Sequence, residues 1–195
     1  ASPETLCKWS ESPEQANRGE IYLCESTIRN VPLGHYSFMT LPDSNLNSLK
    51  GTDGDILGEM CNKLTLIKYQ DKPFEEKTYD KIKKALKYIY DRKIQLKQSF
   101  VFNKAIDYLR QNNLLPTLVF VFSRKQCHTW AKMIQKSLFE ADSKIPSIIE
   151  KEAKKILISK LSNWKEYVAL PEFYEISKLL QKGVAVHHSG VTPVF

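Results

Sequence analysis

Ser123, Arg124 and Lys125 stand where an uncharged apolar run, Leu118–Phe122, ends and a helical pattern begins. A run of β-branched and aromatic residues without alternation predicts a strand buried on both faces, the kind that parallel sheets in α/β proteins produce. Ser123 is a good N-cap residue, with Gln126 three positions on to complete a capping box. Behind it Cys127, Trp130, Ala131, Ile134 and Leu138 keep helical spacing. Strand, tight turn and basic helix N-terminus, in that order, suit an anionic ligand. Ligands of open α/β sheets collect at the carboxyl ends of strands, and the first N–H groups of a helix favour phosphate. The plainer reading leaves Ser123 as a cap and the two cations as surface charge.

A second strand end carries the other polar cluster. Gly183 reads as the residue that stops a helix opened by Pro171, and Val184-Ala-Val186 then predicts a short strand running into His187, His188, Ser189 and Gly190. Adjacent residues on a strand point to opposite faces, so His187 and His188 are poorly arranged to share one metal ion, and none is expected. A Ser-His hydrolase is excluded by the lack of a GxSxG elbow. Cys127 and His128 are consecutive helical positions that diverge, so they form no catalytic pair and Cys127 falls on the apolar stripe. Trp130, Trp164 and Phe173 share their register with Leu and Ile, which favours core packing over base stacking.

These two clusters need a scaffold, and the chain has the means to build one. It has 195 residues, 42% of them hydrophobic and 11% aromatic, enough for a sizeable core. Apolar runs fall far short of the ~20 residues that cross a bilayer, and no signal-peptide pattern opens the chain, so a soluble intracellular protein, cytoplasmic or nuclear and without a membrane partner, is expected. The four cysteines, Cys7, Cys24, Cys61 and Cys127, lack CxxC pairing and predict neither a zinc site nor a disulfide framework. A net charge of +7 favours nucleic acid or acidic surfaces, although Lys81–Lys84 and Lys151–Lys155 lie on helical stretches where a solvated face explains them.

Helical spacing predicts one helix with Tyr79, Ile82, Leu86, Ile89 and Tyr90 inward, and a second with Ile106 and Leu109 inward, ending before Pro116. Pro146 opens a third, carrying Ile149, Ala153, Ile156, Leu157 and Leu161, and Pro171 a fourth, carrying Phe173, Ile176, Leu179 and Leu180. Ser2-Pro3-Glu4 starts a short helix through Trp9, and Ile21–Cys24 predicts a strand. Val31–Leu33 and His35–Phe38 continue as edge-type extended chain, and residues 41–72 read as partly mobile loops interrupted by Leu64–Tyr69.

Taken in order, F-x-F-S-R-K-x-C at Phe120–Cys127 and G-V-A-V-H-H-S-G-x-x-P at Gly183–Pro193 resemble the superkiller-type DExH-box RNA helicases of superfamily two. The likeness extends to Ile21-Tyr22, Thr27-x-Arg29, Val31-Pro-Leu-x-His-Tyr36 and Leu170–Gly183, and Cys7-Lys-Trp9 is similar to the last helix of that family's first RecA-like domain. Asn30 departs from the proline frequent there, and residues 41–72 match no motif of the family. The resemblance implies an α/β, RecA-like fold with a parallel sheet flanked by helices, incomplete at the C-terminus. Residues 1–17 would be the tail of the first RecA-like domain and a connector, and residues 18–195 the second, truncated.

It further implies that Ser123, Arg124 and Lys125 grip the sugar-phosphate backbone of single-stranded RNA, with DNA not excluded, and that His187, His188, Ser189 and Gly190 lie along the nucleic-acid path with one histidine facing inward. The chain has no GxxxxGK[ST] loop, DExH segment or QxxGRxGR segment. ATP and Mg2+ are therefore expected in an intact parent, between two RecA-like domains, and the chain alone is expected to be inactive. Two alternatives remain: a non-catalytic RecA-like module that binds RNA or a protein, and an unrelated doubly wound domain that binds a small phosphorylated ligand.

Overall fold

The computed structural model describes residues 4–5, 22, 31–70 and 72–191. Cys7, Trp9, Cys24, Thr27, Arg29, Asn30 and Pro193, and the boundary expected between residues 17 and 18, lie outside the described residues. The elements run β1 (Gly34–Met39), α1 (Asp43–Leu46), α2 (Thr52–Met60), β2 (Lys63–Tyr69), α3 (Glu76–Asp91), α4 (Gln98–Gln111), α5 (Arg124–Met133), α6 (Ile145–Lys160), α7 (Trp164–Val168) and α8 (Pro171–Gln181).

The chain is a mixed helix–strand fold, but its sheet differs from the parallel one expected. Among the described residues the sheet has two strands, β1 and β2, paired antiparallel from Gly34 opposite Tyr69 to Met39 opposite Lys63, with an irregularity between His35 and Tyr36. Leu118–Phe122 joins no ladder, and Leu118, Phe120 and Phe122 are 82%, 84% and 107% exposed. Val184–Val186 likewise forms no ladder. The physical reason is that a strand is a pairwise structure: β propensity supplies the extended backbone, but only a neighbouring strand can satisfy its N–H and C=O groups. The region read as loops carries two helices, because Leu57 and Met60 of α2 are buried despite the glycines around them.

Two apolar clusters hold the molecule. The first joins Met39, Leu41, Leu57, Met60, Ile82, Ala85 and Tyr88 of β1, α2 and α3. Here the inward face of α3 differs from the predicted stripe: Ala85 and Tyr88 are buried, whereas Leu86 and Tyr90 are exposed. Gly54 of α2 explains the rotation, since a β carbon there would lie 3.3 Å from the Tyr88 hydroxyl. The small pair Gly54 and Ala85 lets the helices approach, and the Tyr88 hydroxyl accepts the Lys50 N–H at 3.3 Å.

The second cluster positions the polar turns. Ile106 of α4, Ala131 of α5, Ile134, Leu179 of α8 and Val184 form its buried centre, with Phe102, Leu109, Leu138 and Val186 against it. Removing a buried Ile or Leu side chain from such a centre costs about 2–5 kcal/mol. Asn103 ties α4 to the end of α5, donating to the Met133 carbonyl at 2.8 Å and accepting the Gln135 N–H at 3.0 Å. The end of α8 is a Schellman motif: Gly183 N–H donates to the Leu180 carbonyl at 2.8 Å and Val184 N–H to the Leu179 carbonyl at 3.0 Å. Gly183 has φ 83°, as that cap requires. The reversal sends Val184 and Val186 under α4 and α5 and leaves the next four residues at the surface.

Candidate nucleic-acid interface

Ser123 caps α5 as its sequence suggests. Its backbone is extended, its hydroxyl oxygen accepts the Gln126 N–H at 3.4 Å, and its carbonyl accepts the Cys127 N–H at 2.9 Å. Arg124 and Lys125 follow in the first turn, both exposed. That turn contains no acidic residue, so two cations stand at the positive end of the helix dipole with no carboxylate to offset them. The N–H groups of a first turn have no acceptor within the helix, and together with these cations they form an anion-attracting surface.

The 187–190 turn lies against this surface. A β carbon on Gly190 would stand 3.4 Å from Cδ of Arg124, so the arginine stem lies on that side of the glycine. Gly190 N–H donates to Nδ1 of His188 at 3.0 Å, and Val191 N–H to the His188 carbonyl at 3.0 Å, which closes the turn. Nε2 of His188 meets Nε2 of His128 on α5 at 2.8 Å. His188 is half-buried, whereas His187, Ser189 and Gly190 are exposed. The seven residues expected at the site thus come from two segments some sixty positions apart, joined through His128 and His188.

His128 is the member that the spacing argument missed. It was weighed only against its neighbour Cys127, whose thiol instead reaches the Val121 carbonyl at 3.7 Å. The usable signal was its place four residues after Arg124, which puts both on one helix face. On α8, Glu175 accepts from Lys132 of α5 at 2.8 Å. Hydrogen bonding and charge from Lys132, with a smaller contribution from His128, hold the Glu175 carboxyl below the usual range. Trp130 packs its half-buried ring 5.0 Å from Phe102, and Phe173 is buried, so neither is offered to bases. Among the described residues no three metal-ligating side chains gather. No helix there is long and apolar enough to cross a membrane.

No family model matches the sequence, and no solved structure matches it. Curated relatives do. The chain is 38% identical over 92 residues, 46% of its length, to "Antiviral helicase SKI2" of Saccharomyces cerevisiae. It is 28% identical over 193 residues, 91% of its length, to "Superkiller complex protein 2" of Homo sapiens. The chain is similar to superkiller-type DExH-box RNA helicases. It is also 27% identical over 96 residues to "Exosome RNA helicase MTR4" of Homo sapiens. The chain spans only 7%, 14% and 8% of the length of these three relatives.

Proposed function

We propose that the chain contributes a sequence-independent RNA backbone grip to an ATP-driven helicase motor, as part of its second RecA-like domain. Ser123, Arg124 and Lys125 provide one half of the grip and His187, His188, Ser189 and Gly190 the other. The observation that carries this reading is the hydrogen bond between His128 of α5 and His188, which brings the 187–190 turn against the helix whose first turn carries Ser123, Arg124 and Lys125. Phosphate is the ligand such a surface suits, since it satisfies first-turn N–H groups and cations without reading base edges. In the intact motor ATP and Mg2+ would bind between this domain and the first RecA-like domain, and closure around the nucleotide would alternate the grip. Without a phosphate loop or, among the described residues, a metal-ligating cluster, no step of that chemistry is assigned to the residues of this chain.

The test is fluorescence anisotropy with single-stranded RNAs of unrelated sequence. Replacing both Arg124 and Lys125 by Ala is expected to weaken binding about tenfold for every sequence and to flatten the salt dependence by about one unit of log–log slope. Unchanged affinity and slope would remove these residues from the interface.

A further inference from the structure

We propose that His128 is a positioning residue, which clasps the 187–190 turn onto α5 by accepting the Nε2–H of His188 and holds the two halves of the grip in register. The inference rests on the backbone-grip reading and adds to it a residue.

The hydrogen-bond directions follow from connectivity. Gly190 N–H can only donate, and it donates to Nδ1 of His188 at 3.0 Å, so that nitrogen carries a lone pair. A neutral imidazole with a bare Nδ1 is protonated at Nε2. His188 must therefore be the donor across the 2.8 Å contact and His128 the acceptor, with the proton of His128 on its own Nδ1. The rings meet edge to face, with centroids 4.9 Å apart and planes at 69°, so the contact is directional. Three groups are thus linked in series, Gly190 N–H to His188 to His128, and each bond polarises the next.

The experiment compares the wild-type chain with His128→Ala and His128→Gln. The glutamine carbonyl can accept from His188. His128→Ala is expected to bind single-stranded RNA about threefold to tenfold more weakly, the worth of one hydrogen bond, and His128→Gln to stay within about twofold of wild type. Thermal melting of each variant controls for folding. In the RNA-free chain, long-range proton–nitrogen spectra are expected to show His188 protonated at Nε2 and His128 at Nδ1. The opposite tautomers, or His128→Ala binding as wild type does, would overturn the proposal. The expected tautomers in a wild-type chain that binds no RNA would instead overturn the grip reading, and with it the function given to the clasp.

Discussion

Lys125 shows what the proposed site costs a single residue. It sits in the first turn of α5, exposed, with Arg124 beside it and no acidic residue to offset the dipole. A cation there is unfavourable by about 0.3–1 kcal/mol, and a carboxylate favourable by a similar amount. Lys125→Glu is therefore expected to raise the unfolding free energy by about 0.5–1.5 kcal/mol in urea titrations while weakening RNA binding. A variant both less stable and weaker in binding would mean that Lys125 is held by contacts of its own. The Ser123 cap and the basic turn were legible in the sequence because capping is local, decided within four residues. The acceptor role of His128 was not, because its partner lies sixty positions away.

At the scale of elements, the end of α8 aims the site. Its start at Pro171 and its stop at Gly183 were readable, since proline suits a first helical position and glycine a left-handed cap. A β carbon at Gly183 would face a φ of 83° and stand 3.1 Å from Cβ of Leu138. Gly183→Ala should accordingly destabilise the chain by about 1–2 kcal/mol, measured by thermal melting. It should also weaken RNA binding at temperatures where the chain stays folded, because Val184 and Val186 would no longer present the 187–190 turn squarely. A melting temperature equal to wild type would show that the backbone relaxes into another cap. The elements that sequence misjudged share one property: their state is decided by a partner. α2 is helical because Leu57 and Met60 find α3 and β1, and Leu118–Phe122 joins no ladder among the described residues.

For the whole molecule, the decisive quantity is how much apolar surface the chain leaves outside its two clusters. Leu118, Phe120 and Phe122 bring an uncharged, proline-free apolar run to the surface next to the basic turn. Such a run is prone to pair with any other strand edge. Replacing Phe120 and Phe122 together by Lys removes no buried contact and should change the unfolding free energy by no more than about 0.5 kcal/mol. The exposed run should make the wild-type chain associate as concentration rises, and the double variant should sediment as a monomer over the same range. A loss of several kcal/mol, as two charges placed in a core would cost, or association that persists in the double variant, would refute this expectation.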